Sequence, residues 1–141
     1  MQSILRISDA AAIALHTADY LVKRTRGGGG VKVLPSTAAD IAKALDVSYN
    51  HLSKVLQQLT RAGFIVTERG PKGGFLLSAA GEKARIKDFI AAVDAPRSAR
   101  TCLMKHKVCG HRDCVFGDFL SETNKRFETV LNTKISKLGK G

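Results

Sequence analysis

The sequence predicts a mainly α-helical fold with one small β-hairpin. Three observations predict it. Residues 36–45 and 48–62 read as two amphipathic helices joined by the short turn Asp46-Val47-Ser48, the pattern of a helix-turn-helix. Residues 64–77 read as strand, glycine- and proline-rich tip, strand. Residues 116–138 carry one long apolar stripe. A hairpin placed directly after a helix-turn-helix is a wing. The fold class is therefore a winged helix-turn-helix plus a long C-terminal dimerisation helix. Three regions follow: a winged helix-turn-helix DNA-binding domain over residues 1–94, a cysteine-bearing loop over 95–115, and a dimerisation helix with its tail over 116–141.

Each element has a local reason. Ser8 suits the cap of a first helix over residues 9–23, where Ala11, Leu15, Ala18 and Val22 recur at helical spacing. Asp9 at its start and Lys23 and Arg24 at its end match the helix dipole. The glycines at 27–30 break it, and no Gly-Lys-Ser or Gly-Lys-Thr follows to make them a phosphate loop. Ser36 or Thr37 opens the second helix, with Ile41, Ala44 and Leu45 as its apolar face. Ser48 caps the third, which turns Leu52, Val55, Leu56 and Leu59 inward and ends before Gly63 in the usual C′ position. Residues 64–68 and 75–77 are the two strands of the wing. Residues 84–93 form a short amphipathic helix with Ile86, Phe89, Ile90 and Val93 on one side, stopped by Ala95-Pro96. The last helix aligns Phe116, Leu120, Phe127, Val130, Leu131, Ile135 and Leu138. So long a stripe, so late in a small chain, suits a dimer interface.

Charge narrows the function. The 141 residues hold 23 Lys and Arg against 12 Asp and Glu, a net +11. Residues 1–74 carry 10 bases and 5 acids and residues 75–141 carry 13 and 7, so the excess is spread over the chain. Such a balance favours an anionic partner, most often nucleic acid. No stretch reaches the ~18 apolar residues of a spanning helix, and residues 1–9 lack the pattern of a secretory signal. The expected location is cytoplasmic, with no membrane partner. No nucleotide or hydrolase motif occurs. Cys109 with His106 or His111 forms no organised triad, so an enzyme is not expected.

The third helix carries the candidate reading surface. Ser48, Tyr49, Asn50, His51, Ser53 and Lys54 fall on its outward side in its first turns, where base edges of a major groove are met. Asn50 suits adenine; Lys54 suits guanine or phosphate. Thr37, at the start of the preceding helix, presents backbone N–H groups to a phosphate. Arg69, Gly70, Pro71 and Lys72 form the wing tip, with cations suited to a minor groove. The expected partners are a double-stranded DNA operator and a second copy of the chain. A winged helix that binds RNA or protein is the competing reading, distinguished by loss of duplex binding.

Three cysteines, Cys102, Cys109 and Cys114, sit close together with six and four residues between them. Soft thiolates select zinc, copper(I) or iron–sulfur clusters. The Cys-x-x-Cys pairs common in structural zinc sites are absent. From Arg97 to Arg112 the loop carries five bases, Arg97, Arg100, Lys105, Lys107 and Arg112, and no acid, which favours thiolates. A cluster, zinc and thiol redox chemistry all remain open on the residues alone.

Nearly the whole chain resembles the Rrf-two family of bacterial winged-helix regulators. The resemblance is carried by Asp40-Ile41-Ala42, by residues 48–59, by the wing Arg69-Gly70-Pro71-Lys72-Gly73-Gly74-Phe75-Leu76-Leu77, by Ile90-Ala91-Ala92-Val93-Asp94, and by the three cysteines after it. It implies a homodimer on a roughly two-fold symmetric operator. It also implies an iron–sulfur cluster, 2Fe–2S or 4Fe–4S, on Cys102, Cys109 and Cys114 that sets operator affinity. The alternative keeps DNA binding and senses through thiol oxidation or zinc. Where the family's cluster regulators place a site-selecting glutamate, this sequence has Ser53. Where they place a fourth ligand, it has Gly117 or Ala12. His111, Asp113, Asp118, and Asp9 or His16 of the partner's first helix are the remaining candidates for that ligand.

Overall fold

The structure is a computed structural model that describes residues 7–27, 29–30, 32–95 and 114–139. Among these residues there are six helices, α1 Asp9–Gly27, α2 Ala38–Leu45, α3 Tyr49–Arg61, α4 Ala79–Lys83, α5 Ile86–Val93 and α6 Gly117–Leu131, and a two-stranded sheet, β1 Ile65–Glu68 and β2 Gly74–Leu77; a 3-10 turn at Ile135–Lys137 follows α6. The mainly helical winged-helix architecture is the one expected.

Side chains cap the helices as the sequence suggests. Ser8 Oγ accepts from the Ala11 N–H at 3.0 Å and donates to Asp94 at 2.6 Å, tying the start of α1 to the end of α5. α1 runs to Gly27, beyond the expected stop near residue 23. Its basic last turn is compatible with the dipole, Thr25 Oγ1 donates to the Leu21 carbonyl and Arg26 to that of Leu138. Of the two residues expected to open α2, Thr37 is the cap, and the helix turns Ile41 and Ala42 inward. Ala44, expected on that face, is exposed; two turns of helix give too few apolar positions to fix the phase from sequence.

α3 behaves as its spacing predicts, burying Leu52, Val55, Leu56 and Leu59. Its end is a Schellman motif: the Phe64 N–H donates to the Leu59 carbonyl, the Gly63 N–H to that of Thr60, and Gly63 takes φ +81°. Phe64 then stacks on Phe89 of α5 with centroids 5.0 Å apart. The hairpin pairs Ile65 with Leu77, Val66 with Leu76, Thr67 with Phe75 and Glu68 with Gly74.

The C-terminal third differs most from expectation. The helix expected over 84–93 is α5, which starts at Ile86, and a short helix that the sequence reading did not name, α4, precedes it. The last helix stops at Leu131, not Leu138. Its continuation turns back, and residues 133–135 pair with 84–86: the Ile86 N–H donates to the Thr133 carbonyl at 3.0 Å, and the Ile135 N–H to that of Ala84 at 2.8 Å. Ile135 is thereby fully buried in the core, its turn packed against α1 and α4. The stripe thus serves two surfaces. Ile135 and Leu138 pack on the chain's own core, while Phe116 and Val130, with Phe119 of the same helix, are exposed. No helix among the described residues is long and apolar enough to cross a membrane.

Candidate nucleic-acid interface

Two N-caps organise the surface. Thr37 Oγ1 accepts from the Asp40 N–H at 3.1 Å, and Ser48 Oγ from the His51 N–H at 3.0 Å. Each hydroxyl keeps its own proton to donate. First-turn N–H groups beyond the capped ones have no intrahelical partner, so the starts of α2 and α3 both favour an anion.

The predicted reading residues are distributed by the α3 period. Tyr49, Asn50 and Lys54 are exposed; Ser53 is half-buried. Thr37 and Ser48 are exposed as caps. His51 differs from expectation. It is half-buried and lines a groove of about 380 Å³ between Asp9, Ala12 and His16 of α1 and Val47 and Ser48 at the head of α3. That groove gathers three positions raised by the ligand question, Asp9, Ala12 and His16, beside the head of α3.

Arg69, Gly70, Pro71 and Lys72 are all exposed at the wing tip. Gly73 tightens the tip, its N–H donating to the Gly70 carbonyl at 2.9 Å. Among the described residues, Lys54, Arg69 and Lys72 form no ion pair; the one formed joins Lys23 and Asp19. Their charges are therefore available to phosphates.

Sequence reading missed the seam between the wing and the helix-turn-helix. Ser36, read only as a possible helix start, is buried and pairs antiparallel with Phe75. A lone serine after Pro35 gives no strand pattern. The adjacent Gly73-Gly74 was the available signal, since double glycine marks close backbone approach.

Of the candidate metal ligands, Cys102 and Cys109 lie outside the described residues, as do His111 and Asp113. Cys114 carries a free, exposed thiol just before α6, and its carbonyl accepts from the Gly117 N–H at 2.9 Å. Among the described residues no group of three or more His, Cys, Asp or Glu side chains is placed to hold a metal ion.

Residues 7–140 match the family model of Rrf2, described as an iron-dependent transcriptional regulator. The chain belongs to the Rrf2 family. One relative, the HTH-type transcriptional regulator IscR of Vibrio campbellii, is 31% identical over 98 residues, 70% of this chain. The match spans 58% of that relative's length. Among solved structures, CymR of B. subtilis, described as the global cysteine regulator, superposes with a TM-score of 0.70 over 96% of both chains at 20% identity. IscR of T. potens does so with a TM-score of 0.64 over 94% of this chain and 84% of its own, at 18% identity. These structures show that the Rrf2 fold extends over nearly the whole chain.

Proposed function

We propose that this Rrf2-family chain is a homodimeric DNA-binding transcriptional regulator whose operator affinity is set by an iron–sulfur cluster on Cys102, Cys109 and Cys114. The observation that carries the DNA reading is the head of α3, capped by Ser48 and presenting Asn50 and Lys54, together with an exposed Arg69/Lys72 wing tip whose cations form no ion pair among the described residues. In this reading α3 enters the major groove, where Asn50 and Lys54 meet base edges, with Tyr49 and Ser53 beside them. Thr37 and the wing hold phosphates, and the two α3 helices of a dimer lie about one turn of duplex apart, roughly 34 Å. The exposed Val115, Phe116, Phe119 and Val130 supply the apolar face for a second copy.

Support for the cluster is chemical. Cys114 offers an exposed thiol, the sequence places two more thiols and five cations within the preceding residues, and the family model is described as iron-dependent. When bound, the cluster supplies a redox-labile centre. Asp9 and His16 line the same groove as Ser48 and His51, so a carboxylate or imidazole given to the other protomer's cluster adjoins the recognition helix. Binding there shifts DNA affinity by as much as the cluster prefers one arrangement of α1 and α3 over another.

The test selects an operator from random duplexes and measures affinity by fluorescence anisotropy. Lys54→Ala is expected to weaken binding, and Asn50→Ala to relax preference at one base by about 1–3 kcal/mol. A protein that selects no duplex, or that binds unchanged with both substitutions, contradicts the reading.

A further inference from the structure

We infer that Gly74 is a positioning residue for DNA binding: it lets the wing dock on the entry to the helix-turn-helix, so that wing and recognition helix engage one duplex together. The inference rests on the DNA-binding reading above.

Gly73 and Gly74 have different surroundings. A Cβ at Gly73 would strike the Glu68 carbonyl and lie 2.9 Å from that of Gly70, both within the hairpin, so Gly73 shapes the tip itself. A Cβ at Gly74 would lie 2.5 Å from the Ser36 carbonyl oxygen, 2.6 Å from its carbon and 3.0 Å from the Thr37 nitrogen. These are backbone atoms of another segment and cannot swing aside. Gly74 also takes φ +153°, a conformation side-chain-bearing residues rarely adopt.

The bare backbone at Gly74 permits two bonds next door. The Phe75 N–H donates to the Ser36 carbonyl at 2.7 Å, and the Ser36 N–H donates to that of Phe75 at 3.1 Å. Ser36 is in turn held from α1, its hydroxyl 3.4 Å from that of Tyr20. The next residue is Thr37, the cap of α2. At its base the hairpin is fixed by Ile65, buried in the core. Near its tip, where Glu68 and Gly74 form the last pair, it is fixed by the Ser36 seam. Arg69 and Lys72 are thus carried at a set offset from Asn50 and Lys54.

The test measures operator affinity across salt for the wild type, Arg69→Ala/Lys72→Ala, Gly74→Ala and the triple variant, with thermal melting alongside. Each lost phosphate contact lowers the slope of log K against log salt by ~0.9, so the two cations account for ~1.8. Gly74→Ala is expected to lower the slope by a similar amount although both cations are present, and the triple variant to lose little more. Preference for the operator over a scrambled duplex, which α3 supplies, is expected to persist. A wild-type slope in Gly74→Ala, or losses that add in full, overturns the inference. An unchanged slope in Arg69→Ala/Lys72→Ala contradicts the wing as a DNA contact, and with it the underlying reading. If Gly74→Ala does not fold, Tyr20→Phe, which adds no atom to the seam, takes its place. It is expected to speed amide exchange at Ser36 and Phe75 and to lower the slope; both unchanged overturns the inference.

Discussion

Replacing Ile135 by alanine tests the least expected feature of the fold, the return of the chain after Leu131. Ile135 is fully buried, and its backbone N–H bonds the Ala84 carbonyl. The substitution removes three carbons from the core, about 2.4 kcal/mol at ~0.8 kcal/mol each. The cavity left behind raises the cost to about 3–4 kcal/mol, within the usual range for Ile→Ala. For a chain of this size that is a drop of roughly 10 °C in Tm. Urea and thermal unfolding at several protein concentrations form the assay. The loss is expected at every concentration with the urea m-value unchanged, because the site lies within one chain. Val130→Ala is the control: Val130 is 54% exposed, so its effect is small and concentration-dependent, acting through association. A cost below about 1 kcal/mol for Ile135→Ala, or one that disappears on concentrating the protein, refutes the fold-back and restores a single helix to Leu138.

Ser48→Ala removes the cap of α3 and is expected to cost about 1 kcal/mol in urea unfolding, with weaker operator binding because the first reading turn frays; equal affinity would show that the head of α3 does not meet DNA. Thr17 is fully buried and its Oγ1 has no hydrogen-bond partner among the described residues. Thr17→Val is therefore expected to raise stability by about 1 kcal/mol, read as a higher Tm; a lower one would reveal a bond for that hydroxyl. Phe119→Ser is expected to shift the proposed dimer toward monomer in sedimentation velocity while leaving the melting of the monomer nearly unchanged. An unaltered dimer would move the interface away from that face of α6.

What the sequence made legible follows from where its patterns are redundant. α3 was readable because the Ser48 cap, four inward apolar residues and the Gly63 stop agree with one another. The wing was readable because Gly and Pro punctuate two β-rich runs. α2 was readable in extent but not in phase, as Ala44 shows. The C-terminal stripe misled for a physical reason: Val130, Leu131, Ile135 and Leu138 keep helical spacing, yet the bonds between residues 133–135 and 84–86 are long-range and leave no local mark. α4 is five residues long and contains Gly81, too short for any period. At the candidate interface, the exposure of Asn50 and Lys54 followed from helix phase, while the half-burial of His51 did not, because its groove is formed with α1. The Ser36 seam depends on backbone pairing between distant segments, which no side-chain pattern encodes.

The most direct test of the central claim is operator affinity of one preparation, purified without oxygen, before and after cluster removal, with iron and acid-labile sulfide measured on each sample. The account predicts a brown protein with matched iron and sulfide, a colourless form after removal, and a clear change in affinity between them. Substituting Cys102, Cys109 or Cys114 by serine is expected to give the colourless form directly. Iron-free protein that cannot be reconstituted, or affinity unchanged on removal, contradicts control by a cluster.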